Sequence, residues 1–216
     1  MAELVERAHQ RGVLVFLDAI QGLGIFPLDV AQIPVDFLAA DGHKWLLGPE
    51  GAGLFYLRRE HLNLLRPLNV GWHSVPKAVD FSQTRWEPKP QAQRYEGGSQ
   101  NMPGMIGLGA SLDLLRGYGA GPAGDALGER LLEVTSLACE RLSTAGAKVI
   151  SDRRQRKHAS NIVAFEMPGE DSAAVRKRLW DRDVILSVRH GWLRIAPHAY
   201  TDESDIDRLI AGLLER

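Results

Sequence analysis

The spacing of apolar residues predicts an α/β fold for the first part of the chain. Apolar residues recur at helical spacing between residues 4 and 11, where an arginine and a glycine mark a helix end. Apolar runs follow at 13–17, at 35–40 with Asp36 as its one polar residue, and at 54–57, and such runs are typical of strands covered on both faces. A helix followed by strands with short connections favours an α/β class with a mainly parallel sheet.

The middle of the chain contains a long irregular segment and then a candidate domain boundary. Prolines and glycines interrupt residues 67–104, and loops of this length in compact domains are usually functional or poorly ordered. A helix is predicted over 105–116, followed by a glycine-rich joint at 117–124. We therefore predict one domain over 1–118 and a second over 119–216.

The second domain has a mixed pattern that favours a small α+β domain. The pattern predicts helices over 127–142, 175–180 and 205–214, and strands over 161–166, 184–186 and 192–195. The first domain supplies only about three strands, fewer than an average sheet contains. We therefore expect either that the first domain is incomplete or that something else covers the edge of its sheet.

Composition narrows the class of protein. The chain has 216 residues with 26 basic and 27 acidic side chains, so it lacks the positive field of a nucleic-acid binder. The single cysteine, Cys139, excludes an internal disulfide and a cysteine-rich metal cluster, and we predict no metal site. No apolar run could span a bilayer, and the mixed-charge start is unlike a signal peptide. We expect a cytoplasmic protein that binds neither membrane nor nucleic acid.

Polar residues with catalytic potential follow the first two predicted strands. Asp18 ends one strand with Gln21 three residues later, and Lys44 follows the next strand. Taken singly, Asp18 is a typical turn cap and Lys44 a typical surface lysine. Ligands of open α/β sheets, however, bind outside the carboxyl ends of strands, where the two side chains can converge. A carboxylate beside a pyridine nitrogen and a lysine that forms a Schiff base are what pyridoxal 5′-phosphate (PLP) requires.

Several short motifs together resemble the class V aminotransferase family, which has the PLP fold type I. The motifs are Leu17–Gln21, Asp41–Lys44, Gly51–Tyr56, Arg94–Ser99 and Leu193–His198. The family includes cysteine desulfurases and an isopenicillin N epimerase. The resemblance implies that residues 1–118 form the C-terminal part of a PLP-binding large domain, followed by the small α+β domain.

The resemblance also implies roles for individual residues around the cofactor. Lys44 corresponds to the lysine that forms the Schiff base and acts as acid and base. Asp18 corresponds to the partner of the pyridinium nitrogen, and Gln21 to the donor to the ring oxygen. His43 corresponds to a residue close to the cofactor or its phosphate.

Two further residues are implied to serve the substrate and a neighbouring subunit. Arg194 corresponds to the arginine that clamps the substrate carboxylate, for which a bidentate guanidinium is well suited. Ser99 corresponds to a hydroxyl residue that reaches the cofactor phosphate of the neighbouring subunit. The resemblance therefore implies an amino-acid substrate and a homodimer with its active site at the subunit interface.

The chain departs from the family pattern in three respects. Asp41 stands where many relatives have serine or threonine, and a carboxylate would repel a phosphate, so we expect Asp41 to point elsewhere. The segment 187–192 holds no cysteine, and Cys139 lies in a predicted helix, which disfavours cysteine desulfuration. Family members also have roughly another domain before the residue that matches Met1. We therefore expect an incomplete chain, and transamination, epimerisation and lyase chemistry remain open.

Three alternatives compete with this hypothesis. The chain could be an inactive, truncated or degenerate PLP-fold protein that acts only in assembly. It could be a dinucleotide-binding oxidoreductase, because Gly22 and Gly24 follow a strand and Asp41 lies 19 residues beyond Gly22, although Pro27 replaces the third glycine. The basic run at 153–158 could bind an anionic partner, but such runs are more often solvated loops.

Overall fold

The computed structural model describes residues 1–82, 84–121 and 124–215, and these form two compact units that meet between residues 125 and 126 of the chain. Residues 122 and 123 of the predicted joint lie outside the described residues. The domain boundary inferred from the sequence lies seven residues before the end of the first unit. None of the helices in the described residues combines the length and the apolar character that crossing a bilayer requires.

The first unit is built on a three-stranded sheet. Its elements are α1 (Ala2–His9), β1 (Phe16–Asp18), β2 (Phe37–Asp41), β3 (Gly53–Leu57), α2 (Met102–Gly117), β4 (Ala120–Gly121) and β5 (Gly124–Asp125). β1 pairs with β2 in parallel and β2 pairs with β3 antiparallel. The connection from β2 to β3 is too short to hold a crossover helix, which is why this pair is antiparallel. The predicted α/β class is confirmed.

One face of this sheet forms the core of the first unit. Val5 of α1 packs in one cluster with Val35, just before β2, and with Leu38 and Ala40 of β2. The expectation that the first strand is covered on both faces was wrong, because Phe16 is 58% exposed. β1 is the edge strand of the sheet order β1-β2-β3, so only one of its sides is paired within the described residues.

A buried carboxylate fastens α1 to the sheet. Asp36, immediately before β2, is 1% exposed and accepts hydrogen bonds from three donors. These are the backbone N–H of Val15 at 2.7 Å, Nε2 of His9 at 2.8 Å and Nε2 of His61 at 2.7 Å. Burial alone would raise the pKa of Asp36, but these hydrogen bonds outweigh it and lower the pKa to about 2.

The lowered pKa predicts how stability depends on pH. A carboxyl whose pKa is lower in the folded than in the unfolded state stabilises the fold above its unfolded pKa of about 4. This contribution, roughly 2 kcal/mol, is lost as the pH falls from about 4 to about 2. We therefore expect wild type to be more stable than Asp36→Asn at pH 6, with the difference shrinking towards pH 2.5. Urea unfolding at each pH measures it, and a constant difference would contradict the prediction.

The second unit is a four-stranded antiparallel sheet with helices. Its elements are α3 (Ala126–Thr144), β6 (Lys148–Val149), β7 (Val163–Glu166), α4 (Ser172–Trp180), β8 (Ser187–Arg189), β9 (Trp192–Ile195) and α5 (Glu203–Leu214). The strand order is β6-β7-β9-β8. Phe165 and Leu193 from the sheet pack with Val175, Leu179 and Leu209 from the helices in the core of this unit.

One strand of the second unit was predicted at the wrong position. The apolar run at 184–186 is not a strand, because it forms the exit from α4. The N–H of Val184 donates to the carbonyl of Leu179 at 3.0 Å, and Asp183 adopts a left-handed φ of 58°. The strand therefore begins three residues later, at Ser187.

The basic run at 153–158 forms a locally paired loop. Arg153 donates to the carbonyl of Ser160 at 2.7 Å and to Oγ1 of Thr135 at 3.1 Å. Nε of Arg154 donates to Asp152 at 2.9 Å, and Arg156 is ion-paired with Glu129. These contacts support the loop interpretation rather than an anion-binding surface.

Candidate active site

The carboxyl ends of β1 and β2 lie at the same edge of the sheet, because the two strands are parallel. Asp18 is the last residue of β1 and is in register with Ala39, while β2 ends at Asp41. Oδ1 of Asp18 accepts a hydrogen bond from the N–H of Ile20 at 3.1 Å, as expected of a turn-capping aspartate. Its Oδ2 accepts no hydrogen bond from the described residues, and the side chain is exposed. Asp18 therefore caps the turn and still presents one free oxygen.

The turn after β1 is joined to the loop after β2. Nε1 of Trp45 donates to Oε1 of Gln21 at 3.3 Å. Gly24 approaches Trp45 so closely that a Cβ on Gly24 would lie 2.9 Å from the carbonyl oxygen of Trp45. Gly24 also has a φ of 96°, which favours glycine. Gln21 is thus held beside the loop that carries Lys44.

Residues 42–48 form a closed loop, which we call the lysine loop. The N–H of Gly42 donates to the carbonyl of Ala52 at 2.7 Å, and the N–H of Gly48 donates back to the carbonyl of Gly42 at 2.8 Å. Leu47 adopts a left-handed φ of 55°, and Oγ of Ser111 donates to its carbonyl at 2.8 Å. Backbone and side-chain hydrogen bonds therefore hold this loop in one conformation.

Lys44 differs from the ion-paired lysines of the chain. Lys148 is 3.0 Å from Glu166, and Lys177 is 3.5 Å from Asp181. Lys44 is half-buried and forms no ion pair with any side chain that the structure describes. Its amine is therefore free of a neutralising carboxylate, as a lysine that bonds covalently to an aldehyde must be.

His43 lies against the carboxylate of Asp41 in the lysine loop. Oδ2 of Asp41 is 3.1 Å from Nδ1 of His43, and its Oδ1 accepts from the N–H of Gly42 at 2.7 Å. The neighbouring His43 imidazole lowers the pKa of Asp41 below its ordinary value. The carboxylate is therefore turned towards His43 and its own backbone.

Ser99 lies in the irregular segment, and the residues before it are structural. Arg94 is buried and donates from Nε to the carbonyl of Lys89 at 2.6 Å and from a terminal nitrogen to that of Leu62 at 2.9 Å. The hydroxyl of Tyr95 donates to the carbonyl of Leu65 at 2.8 Å. Ser99 is exposed, and its hydroxyl bonds to no other residue of the described ranges.

Arg194 lies on β9 in the second unit. It is in register with Ala164 of β7 and Ser187 of β8, between the buried side chains of Leu193 and Ile195. Because side chains alternate along a strand, Arg194 faces away from the core of this unit. It is half-buried, and it forms no ion pair within the described part of the chain.

The connection before Arg194 is a tight hairpin turn. β8 and β9 are joined by His190 and Gly191, whose φ values of 51° and 83° are both left-handed. Positive φ at both central residues is characteristic of a two-residue type I′ turn. The segment therefore has neither a cysteine nor the length of an extended loop.

The glycine-rich stretch at 22–27 lacks the feature that dinucleotide binding requires. It forms turns between β1 and β2, and no helix begins within residues 19–36, all of which are described. Pyrophosphate binding in such folds depends on a helix N-terminus directly after the glycines. This arrangement disfavours the oxidoreductase alternative.

Comparison with protein families decides the wider classification. The model of the aminotransferase class-V family matches residues 1–209 of this chain. The chain belongs to that family. The resemblance inferred from the motifs is thus confirmed.

Individual relatives agree with the class V assignment. Isopenicillin N epimerase of Amycolatopsis lactamdurans is 32% identical, over 98% of this chain and 54% of its own length. Cysteine desulfurase CsdA of Escherichia coli is 30% identical, over 97% of this chain and 53% of its own length. This chain spans about half the length of the curated relatives it matches.

A solved structure shares the fold. The apo cysteine desulfurase of Thermococcus onnurineus NA1 superposes with a TM-score of 0.88 at 23% identity, covering 99% of this chain and 55% of that one. At this identity the likeness shows the fold alone. It confirms the fold that the motifs implied for this chain.

Four of the predicted site residues lie at one edge of the sheet in the first unit. These are Asp18, Gln21, His43 and Lys44. Their roles remain predictions, as do those of Ser99 and Arg194. Sequence reasoning missed Trp45 as a partner of Gln21. The one sequence feature that could have indicated Trp45 is its position directly after Lys44, together with its aromatic N–H donor.

Proposed function

We propose that the protein is a PLP-dependent enzyme acting on an amino acid, with Lys44 as the residue that holds the cofactor. The proposal rests on one observation, the presence of Asp18 and the lysine loop at the same edge of the sheet. Ligands of α/β sheets bind at this edge, beyond the carboxyl ends of the strands.

The polar groups at this edge fit the chemical groups of PLP. The unpartnered Oδ2 of Asp18 suits a protonated ring nitrogen, and the unpaired amine of Lys44 suits an aldehyde. The amide nitrogen of Gln21 suits the ring oxygen beside that aldehyde. When bound, the cofactor supplies an electron sink for the charge left on the substrate Cα.

The protein's own groups would divide the remaining work. Nζ of Lys44 would remove and return the proton at the substrate Cα, and Asp18 would keep the ring nitrogen protonated. The guanidinium of Arg194 would hold the substrate carboxylate in a bidentate contact. Ser99 would serve the phosphate site of a second copy, which implies a homodimer with a shared active site.

The proposed chemistry does not use a cysteine nucleophile. Cys139 is half-buried in α3, where burial raises the pKa of its thiol and so disfavours the reactive thiolate. The hairpin before Arg194 contains no cysteine. Transamination, epimerisation and lyase reactions remain consistent with this site, and all begin with removal of the same proton. The relation to an epimerase supports this group of reactions.

Borohydride reduction in the presence of PLP tests the proposal. We expect one phosphopyridoxyl group per chain, found by peptide mapping on Lys44, because reduction makes a lysine-bound cofactor permanent. Lys77 is exposed and lies in the same unit, so its labelling measures non-specific reaction. Lys77→Ala should keep the Lys44 label and Lys44→Ala should lose it.

The opposite labelling result would favour the alternative function. If Lys44 is labelled no more than Lys77, the protein lacks a working cofactor site. The alternative hypothesis, an inactive PLP-fold protein that acts only in assembly, would then be preferred.

A further inference from the structure

The hydrogen bond between Trp45 and Gln21 ties an exposed side chain to a buried one. Trp45 is 6% exposed, whereas the side chain of Gln21 is exposed at the sheet edge beside Asp18. The two residues are 24 positions apart in the chain and come from different connections. The hydrogen bond to the buried indole therefore restrains the side chain of Gln21, which would otherwise rotate freely in solvent.

The chemistry of the two groups determines the orientation of the amide. An indole N–H can only donate, whereas a glutamine amide has an accepting oxygen at one end and a donating NH₂ at the other. The indole must therefore take the oxygen, Oε1. The NH₂ group of Gln21 is then turned away from Trp45, and it donates to no group among the described residues. The free face of Gln21 is thus a donor rather than an acceptor.

We propose that Trp45 is a positioning residue that keeps the NH₂ of Gln21 directed to the ring oxygen of the cofactor. This inference rests on the proposed function of the site. Without the indole donor, the amide could also turn its oxygen outward. An outward carbonyl would face the negatively charged ring oxygen and repel it, so both cofactor affinity and cofactor ionisation would change.

The surroundings of Trp45 make it suitable for this role. Trp45 directly follows Lys44 in the closed lysine loop, so the loop hydrogen bonds also restrain the indole. The close approach of Gly24 to the Trp45 carbonyl holds the turn that carries Gln21 against the same residue. Because the indole of Trp45 is already restrained, it can orient the amide of Gln21 before the cofactor binds. Little conformational freedom is then lost when the cofactor binds.

The test compares Trp45→Phe with wild type by PLP titration and by pH titration of the bound cofactor's absorbance. Phenylalanine keeps an aromatic ring but removes the N–H donor. We expect the dissociation constant of PLP to rise roughly 3- to 10-fold, as for loss of one oriented hydrogen bond. The pH midpoint of the absorbance change should rise by up to about one unit, because the ring oxygen loses its donor and holds the neighbouring proton more tightly.

A double substitution separates positioning from a structural effect. In a Gln21→Ala background, Trp45→Phe should change the PLP dissociation constant by less than about twofold, because the group that Trp45 orients is absent. Trp180→Phe, an exposed tryptophan of the second unit, is the control and should leave both readouts unchanged. Circular dichroism of each variant establishes that the fold is retained.

The possible outcomes are distinguishable. Equal effects of Trp45→Phe with and without Gln21 would show a structural role and overturn the inference, as would unchanged readouts in the single variant. If wild type itself carries no cofactor on Lys44, the proposed function fails first, and the inference fails with it. Normal labelling of Lys44 together with an unchanged pH midpoint in Trp45→Phe would overturn the inference alone.

Discussion

Replacing Lys44 with alanine is expected to slow exchange of a substrate's α-hydrogen with solvent by about a thousandfold. The expected size is that of losing a positioned general acid and base, about 10²- to 10⁴-fold, together with the group that holds the cofactor. Exchange is the right readout because transamination, epimerisation and lyase chemistry share this first step. It is measured by proton NMR in D₂O over a panel of amino acids with PLP present, so the natural substrate need not be known.

Two comparisons make the Lys44 result specific. Lys77→Ala removes an exposed lysine from the same unit and should leave the exchange rate within twofold of wild type, roughly the effect of a neutral surface change. A small primary amine added to Lys44→Ala should restore part of the rate, because it supplies the missing base. An exchange rate in Lys44→Ala within about tenfold of wild type would contradict the assigned role.

The candidate edge of the sheet could be predicted because its signal is local. Apolar runs predict strands, and the polar residues that follow them mark the strand ends. The positions expected from the sequence are therefore found for Asp18, at the end of β1, and for Lys44, just beyond β2, while their roles stay predictions. The class V motifs then added residue roles that the hydrophobic pattern alone could not supply.

Contacts between distant residues could not be predicted in the same way. Gln21 and Trp45 are 24 positions apart, and His9 and Asp36 are 27 apart. The local sequence pattern does not predict which two polar side chains will form a hydrogen bond, because each of these side chains is equally compatible with exposure to solvent. Such pairings depend on how the turns pack, and here the packing involves Gly24 beside Trp45.

Strand positions in the second unit show a different limit. Residues 184–186 are all apolar, whereas 187–189 are serine, valine and arginine, so the apolar pattern favours the wrong position. The choice depends on the end of α4, where Val184 bonds back to Leu179, and on the register with β9. β6 has only two residues and therefore too little periodicity to detect.

Replacing Asp36 with alanine is expected to lower the free energy of unfolding by about 3–5 kcal/mol, as for loss of one partner from a buried charged network. The substitution leaves three donors without an acceptor, the Val15 N–H and Nε2 of His9 and His61. It also weakens the chain entry to β1, because the Val15 N–H loses its side-chain acceptor, although the backbone bond from the N–H of residue 36 to the Val15 carbonyl, at 3.1 Å, remains. Urea unfolding at pH 7 measures the loss.

The controls for Asp36 test charge and burial separately. Asp36→Asn keeps an acceptor oxygen but not the charge, so it should cost less than Asp36→Ala. Asp113→Ala removes an exposed aspartate paired with Arg116 three residues away and should change stability by less than about 0.5 kcal/mol. A loss below about 1 kcal/mol in Asp36→Ala would mean that the network stabilises neither α1 nor β1. A large loss, accompanied by weaker PLP labelling of Lys44 at low urea, would instead link this buried carboxylate to the candidate active-site edge through β1.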